Sequence, residues 1–210
     1  MNDARLNGRV VAVIGPGGPT HRAVAVGCAE AGADVALGTV RRTRDEAYGV
    51  NSIANEIWAV GREHFVREMD AGDPTQVTAF AAETWDRLGR CDVLVALHDF
   101  PTDAPLEELS PDEWDETLVL NLSAPFFAAQ AFGRLMQRQR SGLIVLCAPH
   151  RDGVDAAYAA AKAGLAAAVA HVQAAWADDG VHVRLLGSQD LLTPELAAAV
   201  VVEAASLSPE

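Results

Sequence analysis

Tyr158 and Lys162 are the two residues of this chain whose types and spacing best suit acid–base chemistry. They lie four residues apart in an alanine-rich stretch, and Lys162 is the only lysine among 16 basic residues. Residues four apart share one face of a helix, so the Lys162 ammonium can lie beside the Tyr158 hydroxyl and favour its phenolate form. Such a tyrosine can act as a general acid or base near neutral pH. The alternative is an ordinary surface pair on a helix.

A glycine-rich turn follows the first apolar run of the sequence. The run Val10–Ile14 leads into Gly-Pro-Gly-Gly-Pro-Thr-His, and a helical pattern begins there. In a strand–turn–helix context, such a turn can hold a pyrophosphate at the N-terminus of the helix. We therefore expect Gly15, Gly17, Thr20 and His21 to bind a dinucleotide.

Apolar runs of strand length alternate along the chain with longer helical patterns, which is typical of βαβ units. The predicted strands are 10–14, 35–37, 64–69, 93–97, 143–147 and 183–186, and the predicted helices are about 20–31, 45–60, 75–88, 112–139, 156–178 and 194–206. This order predicts an α/β fold, a Rossmann-like doubly wound parallel sheet of six strands with helices on both faces. Ligands of such sheets bind beyond the carboxyl ends of the strands.

Composition excludes several classes of function. The net charge of −13 and the pI near 4.8 leave no basic stripe for a phosphate backbone, so we expect no nucleic-acid partner. No apolar run approaches the roughly 20 residues that span a bilayer, and the first ten residues contain no apolar signal segment. We therefore expect a cytosolic protein without a membrane partner. Three scattered cysteines, without metal-ligand spacing, are expected to be buried small hydrophobic residues.

Taken in order, these landmarks resemble the short-chain dehydrogenase/reductase family over nearly the whole chain. The resemblance rests on the glycine turn, Gly32-Ala-Asp-Val-Ala-Leu-Gly, Asp70 after the third strand, Asp92-Val-Leu-Val, Trp114 through Asn121, Gly142-Leu-Ile-Val and Tyr158-Ala-Ala-Ala-Lys162. It implies an oxidoreductase that uses NAD(P) to reduce a carbonyl or oxidise an alcohol. In that family's terms Tyr158 is the acid/base, Lys162 holds the ribose and lowers the pKa of the phenol, Asn121 is a further catalytic residue, and Asp70 belongs to the cofactor site.

The chain departs from the family at the positions that touch cofactor and substrate. Where the family has three glycines, the chain has Gly15, Pro19 and His21, and Ala-Leu-His-Asp at 96–99 replaces the family's Asn-Asn-Ala-Gly. The family's catalytic serine falls on Ala148 or Pro149, so we expect His150 to replace it as a hydrogen-bond donor. The loop before Tyr158 is also shorter than in the family, which would bring His150 or Arg151 closer to the tyrosine.

The C-terminal region also departs from the family. Ser188-Gln189 replaces the family's Pro-Gly, and the helical pattern at 194–206 follows almost directly. We therefore expect one domain over residues 1–210 that lacks the family's substrate lid and last strand. Leu191, Leu192 and the segment Phe100–Leu106 could wall a shallow apolar pocket, although ordinary packing explains them equally well.

The end of the second predicted strand bears on the choice of cofactor. No acidic residue follows it to bind a ribose 2′-hydroxyl, and Arg41 and Arg42 come shortly after it. Arginine at this place can bind a 2′-phosphate, which favours NADP over NAD. The alternative is that both arginines belong to a solvated loop.

Two other functions remain open on the sequence. The losses in the cleft are also compatible with a non-catalytic scaffold, or with a regulatory subunit that pairs with a complete homologue. Alternatively His21, His98 and His150 could line one crevice with Asp99 and form a new acid/base or metal site, although we assign no metal ligand.

The expected assembly is a homodimer, with a tetramer possible. Alanine dominates the helix at 156–177, where Gly164, Leu165, Val169 and Val172 are interspersed. In the resembling family this helix and the one at 112–139 pair across a two-fold axis. The alternative is that these faces pack only on their own sheet.

Overall fold

The computed structural model describes residues 5–149, 151–186 and 194–207, with the backbone alone for 194–198. Its strands are β1 (Val10–Ile14), β2 (Asp34–Gly38), β3 (His64–Arg67), β4 (Val93–Ala96), β5 (Gly142–Cys147) and β6 (Val181–Leu186). Its helices are α1 (Pro19–Glu30), α2 (Arg44–Val60), α3 (Pro74–Leu88), α4 (Pro111–Leu118), α5 (Ala124–Gln139), α6 (Ala156–Trp176) and α7 (Pro194–Ala205).

All six strands form one parallel sheet in the order β3-β2-β1-β4-β5-β6. The strand order reverses direction between β1 and β4, and that switch point is where a doubly wound sheet opens a crevice for ligands. The predicted fold class is therefore confirmed. Every predicted strand and helix is present, with ends that differ by only a few residues.

One predicted helix is interrupted in the structure. The segment predicted as a helix at 112–139 consists of α4, a π-helical turn at Val119–Ser123, and α5. Single π-turns inside helices often occur at functional sites, because they redirect the side chains of one turn. Here the turn contains Asn121.

Side-chain caps fix where the helices begin beside the crevice. Thr43 accepts from the backbone of α2, Asp73 from α3, and Asp155 from α6. Ser110 forms a complete capping box with Glu113 at the start of α4. Each cap satisfies a backbone N–H that has no partner within its helix, so the sequence sets these helix starts locally.

Two apolar layers cover the sheet, one on each face. On the face of α3, α5 and α6, Phe80 makes edge-to-face contacts with Phe65 and Phe132. The other face packs beneath α1, α2 and α7. All three cysteines are free and buried, which confirms that prediction. The core therefore holds the carboxyl ends of β1, β4 and β5 in fixed positions.

Some predictions about the chain as a whole are not settled by the fold. Within the described residues, no helix is both long and apolar enough to cross a membrane. The cytosolic location and the missing lid and last strand stay predictions. Ser188, Gln189, Leu191 and Leu192 lie outside the described residues.

Candidate active site

Tyr158 and Lys162 lie together on α6, beside the carboxyl ends of β4 and β5. Asp155, the N-cap of α6, accepts a hydrogen bond from the Tyr158 backbone N–H at 2.9 Å, which places Tyr158 in the first turn. Tyr158 is 2% exposed and Lys162, one turn later, 7%. The pair is therefore buried beside the crevice and is not the surface pair considered as the alternative.

Asp99, the third residue after β4, joins this pair. The Tyr158 hydroxyl donates to Asp99 Oδ1 at 2.5 Å, and Lys162 Nζ lies 3.7 Å from the same oxygen. On the other side, the Arg151 guanidinium forms a two-nitrogen ion pair with Asp99 Oδ2, with Nε at 3.1 Å. One carboxylate thus binds the phenol and both cations.

The effect of this cluster on Tyr158 is opposite to the predicted one. The pKa of Tyr158 is raised, first because the phenol is buried and then because it donates to the negative Asp99 carboxylate; Arg151 opposes the shift in part. The prediction that Lys162 favours the phenolate was wrong. That prediction did not include the Asp99 carboxylate, which accepts from the phenol and stabilises its protonated form.

Lys162 is itself engaged by the sheet. Its ammonium donates to the backbone carbonyls of His98 at 2.5 Å and Cys147 at 3.1 Å, at the ends of β4 and β5. Nζ lies 5.4 Å from the Tyr158 ring centroid, a cation–π distance. Burial lowers the pKa of Lys162 to about 8, although Asp99 opposes that shift. Asp99 is the third neighbour of this ammonium, which therefore links the carboxyl ends of β4 and β5 at the crevice.

Asn121 fixes the loop that carries Asp99. Its side-chain oxygen accepts from the Phe100 N–H at 2.9 Å, and its amide donates to the Phe100 carbonyl at 3.0 Å and the Thr117 carbonyl at 3.1 Å. The π-turn aims Asn121 at this loop. Asn121 therefore holds the backbone next to Asp99, and its catalytic role stays a prediction.

The glycine turn forms with His21 folded into it. Nδ1 of this buried side chain accepts from the Gly17 N–H at 3.1 Å, so the proton of the neutral ring lies on Nε2. Burial lowers the pKa of His21 to about 4. A Cβ on Gly15 would lie 2.8 Å from Nδ1, so only glycine leaves room for this ring.

Gly17 is also pressed against α2. It has a φ of +76°, and a Cβ on the neighbouring Gly49 would lie 2.6 Å from the Gly17 carbonyl oxygen. The turn and α2 thus touch backbone to backbone.

The end of β2 is crowded by side chains of the chain itself. Buried Glu46 of α2 accepts from the N–H groups of Val40 and Arg41, both at 2.8 Å. Arg41 pairs with Glu116 of α4 at 3.0 Å and lies over the Phe100 ring, while Arg42 is exposed. Arg41 therefore spans the crevice, and the carboxylate of Glu46 lies close to the place predicted for a 2′-phosphate.

Asp70, predicted to bind the cofactor, is exposed beyond β3. Its Oδ1 accepts from the Gly72 N–H at 2.9 Å, which closes a tight turn before α3. The structure does not bring Asp70 into the Tyr158 cluster. Its role in the cofactor site stays a prediction.

The position of the family's serine carries no hydroxyl. Ala148 donates its backbone N–H to the Leu186 carbonyl at 2.9 Å, and Pro149 is buried behind it. His150 lies outside the described residues. Arg151 does approach the tyrosine through Asp99, as the shortened loop predicted.

Two cavities meet at Asp99. A cavity of about 170 Å³ lies beside the glycine turn, and its walls are Pro16, Gly18, Pro19, Thr20, His21, Leu97, Asp99, Cys147 and Arg151. A second of about 310 Å³ lies toward α4, and its walls are Arg41, Asp99, Phe100, Pro101, Thr102, Glu113, Glu116, Thr117, Leu120 and Asn121. Asp99 belongs to both walls.

Among the described residues, His21 and His98 do not come together as the predicted histidine cluster requires. His98 is fully buried and absent from the walls of both cavities, and burial beside Lys162 lowers its pKa to about 3. His21 lines the smaller cavity together with Asp99. Across the part of the chain that the structure describes, no three His, Cys, Asp or Glu side chains are grouped so that they could hold a metal ion.

A dinucleotide fits this site at its phosphate end. The N–H groups of Thr20 and His21 lie in the first turn of α1, where no preceding carbonyl of the helix can accept them, and the small cavity opens beside Thr20. At the reacting end Tyr158 and Lys162 are in place, but Lys162 already donates to two carbonyls.

The contacts of three of these residues are not evident from the sequence. The sequence suggests Asp99 only as a possible partner of histidines, and its contact with Tyr158 depends on the pairing of β4 with β5. Arg151 was identified by loop length alone. Glu46 was missed entirely, because nothing in the sequence shows that a carboxylate in the first turn of α2 bends back to the end of β2.

The chain is similar to known proteins over most of its length. The family model for short chain dehydrogenases matches residues 9–199. D-threitol dehydrogenase of Mycolicibacterium smegmatis is 32% identical over 195 residues, which are 91% of this chain and 73% of that protein. 2-Dehydro-3-deoxy-D-gluconate 5-dehydrogenase of Pseudoalteromonas atlantica is 29% identical over 185 residues, 86% of this chain and 71% of that protein.

A solved structure is similar over almost its full length. It is a metagenomic short-chain oxidoreductase in complex with NADP, and it aligns with a TM-score of 0.83 at 28% identity over 96% of this chain and 93% of that chain.

Proposed function

Because the chain belongs to the short-chain dehydrogenase family, we propose that it is an NAD(P)-linked oxidoreductase that interconverts an alcohol and a carbonyl. One observation carries the proposal. Tyr158 and Lys162 meet around Asp99 at the carboxyl edge of the sheet, beside the glycine turn. Proton-transfer groups and a phosphate cradle therefore share one crevice.

Each part of the crevice has a task in this proposal. Gly15, Gly17 and the first turn of α1 with Thr20 and His21 would hold the pyrophosphate. Lys162 would hold the ribose next to the reacting ring, and the dinucleotide would accept or supply the hydride. Arg41 and Arg42 would bind a 2′-phosphate, which is why NADP remains our preferred cofactor.

Proton transfer falls to the linked Tyr158 and Asp99 side chains. A positioned acid or base of this kind contributes about a hundred- to ten-thousandfold in rate. Asn121 supports the step because it holds the backbone at Phe100, next to Asp99. Ala148 and Pro149 offer no hydroxyl for the developing oxyanion, and loss of one such donor lowers the rate about a hundred- to thousandfold. We retain His150 as the proposed replacement donor.

The larger cavity suits a small hydroxylated substrate. Its volume of about 310 Å³ lies at the lower end of the range of about 300–1,000 Å³ for ligand pockets. The Thr102 hydroxyl in its wall is buried without a partner among the described residues, and Glu113 and Glu116 line the same wall. Hydroxyl groups of a neutral polyol can donate to these carboxylates, and the cation in the same wall, Arg41, is already paired with Glu116. The similarity to a D-threitol dehydrogenase supports a polyol.

Isothermal titration calorimetry with NADPH and NADH, followed by oxidation assays with four- to six-carbon polyols, tests this function. We expect binding in the micromolar range and hydride transfer that Asp99→Asn slows about a hundred- to ten-thousandfold. Absence of binding of both nucleotides at millimolar concentration would contradict the proposal.

A non-catalytic scaffold is the second candidate. The observation that favours it is that Lys162 donates to the carbonyls of His98 and Cys147 while α2 closes on Gly17. On this reading the pair of Tyr158 and Lys162 braces the sheet, whether the protein stands alone or serves as a regulatory subunit. This role is established if the wild-type protein binds no nucleotide and a Lys162 variant is less stable than the wild type.

We also propose a homodimer through α6. Leu165 and Val169 of this helix are buried against its own sheet, but alanines such as Ala163, Ala167 and Ala170 are exposed. Small residues allow a second helix to approach closely. Light scattering after size-exclusion chromatography should show a dimer that Ala167→Arg dissociates, whereas Ala82→Arg, on the exposed face of α3, leaves the mass unchanged. A monomeric wild type would contradict this assembly.

A further inference from the structure

Tyr158 and Asp99 differ in what they present to the cavities. The Tyr158 side chain is 2% exposed and absent from the walls of both cavities. The Asp99 side chain is 17% exposed and lies in both walls. A molecule in either cavity therefore meets the carboxylate before it meets the phenol.

Three side chains hold the Asp99 carboxylate in position. Tyr158 Oη fixes Oδ1 at 2.5 Å, while Arg151 holds Oδ2 through two nitrogens. Lys162 Nζ adds a second cation at 3.7 Å from Oδ1. The two cations and the phenol thus fix both carboxylate oxygens in position.

We propose that Asp99 is the base that takes the proton of the substrate alcohol, and that Tyr158, Arg151 and Lys162 are positioning residues that act through it. This assignment rests on the proposed function. It reverses the roles that the resemblance implies, in which Tyr158 touches the substrate. The substrate is a neutral alcohol whose hydroxyl donates to Asp99 from the cavity side.

The step balances without a further reagent. The O–H bond of the alcohol breaks and its proton passes to Asp99. The C–H bond at the same carbon breaks, its electron pair leaves as hydride to the oxidised nicotinamide dinucleotide, and the C–O bond becomes a carbonyl. The resulting carboxylic acid of Asp99 then releases its proton to water in the cavity and becomes a carboxylate again.

A spectroscopic test needs no cofactor. Tyr48 and Tyr158 are the only tyrosines, and Tyr48 is 80% exposed, so Tyr48→Phe leaves Tyr158 as the one phenol. In that background, alkaline titration of the phenolate absorbance should shift to lower pH when Asp99→Asn is added. Asp86→Asn, which changes an exposed aspartate of α3, should cause no shift. An unshifted titration in the Asp99 variant would show that Asp99 does not bind the phenol and would overturn the assignment.

Kinetics of polyol oxidation distinguish the two roles. Asp99→Asn should lower kcat about a hundred- to ten-thousandfold, and Asp99→Glu should restore part of it. Tyr158→Phe should lower kcat less than Asp99→Asn does, by about ten- to a hundredfold, as loss of one hydrogen bond to a charged group does. The reverse order, with Tyr158→Phe the more severe, would overturn the assignment while the proposed function holds. A wild type that oxidises no alcohol would overturn both, and the titration would still report the bond between Asp99 and Tyr158.

Discussion

Lys162 Nζ donates a hydrogen bond to the carbonyl oxygen of Cys147 at 3.1 Å, and this bond ties α6 to the carboxyl end of β5. The same ammonium donates to the His98 carbonyl at the end of β4. Two parallel strands that belong to the crevice are thus joined through one buried cation. The only lysine of the chain has a structural function whether or not it also holds a ribose.

Replacement of Lys162 by methionine should destabilise the fold. Methionine keeps much of the apolar contact but leaves two buried carbonyls without their donor, at about 1–3 kcal/mol for each unsatisfied group. Urea denaturation followed by circular dichroism measures the free energy of unfolding. Arg138→Met, near the exposed end of α5, is the control and should change it by less than about 0.5 kcal/mol. Equal effects of the two variants would contradict the bracing role.

Acid should destabilise the protein through its buried histidines. Burial lowers the pKa of His21 to about 4 and that of His98 to about 3 from an ordinary value of 6.5. Below about pH 6.5 the unfolded chain takes up protons that the folded chain excludes, so the free energy of unfolding falls from there toward about pH 4. Urea titrations at a series of pH values measure this slope.

His98→Leu should flatten that slope. Both ring nitrogens of His98 lack a hydrogen-bond partner among the described residues, so an apolar side chain should be tolerated at neutral pH. His171→Asn, on the exposed side of α6, should leave the slope unchanged. A His98 variant with the wild-type slope would show that this residue is not the buried neutral histidine described.

Contact between the glycine turn and α2 should make Gly49 intolerant of a side chain. Gly49→Ala places a Cβ 2.6 Å from the Gly17 carbonyl oxygen, so the turn must move. We expect a loss of about 1–3 kcal/mol, as in other overpacked sites. Gly164→Ala is the matched control in α6, since its Cβ meets only the flexible end of Leu122 at 3.3 Å. Thermal unfolding of the two variants gives the comparison, and equal melting temperatures would exclude the close contact.

Glu46 should discriminate against the 2′-phosphate of NADP. Its carboxylate accepts from the Val40 and Arg41 N–H groups at the end of β2, where it repels a second anion. Glu46→Gln should therefore raise the affinity for NADPH several-fold relative to NADH, as measured by calorimetry. Asp45→Asn, the exposed neighbouring acid of α2, should leave the ratio nearly unchanged. A constant ratio in the Glu46 variant would place the 2′-phosphate elsewhere.

Much of the fold can be predicted from the sequence because its signals are local. Continuous apolar runs such as Val10–Ile14 are buried on both faces, and caps such as Thr43 and Asp155 start their helices without help from distant residues. The spacing of Tyr158 and Lys162 on a helix requires only the helical repeat. These features determined the doubly wound sheet, the turn at Gly15 and the edge at which the site lies.

The chemistry of the site depends on contacts between residues that are far apart in the sequence. Asp99 and Tyr158 are separated by 59 positions, and only the parallel pairing of β4 with β5 brings their side chains together. Tertiary structure alone therefore decided that burial and a carboxylate raise the pKa of the phenol. It also decided that Lys162 binds carbonyls of the sheet and that Asp99 faces the cavities. The physical reason is that charge and burial act through space, whereas the sequence specifies directly only the neighbours within one helix turn or one strand.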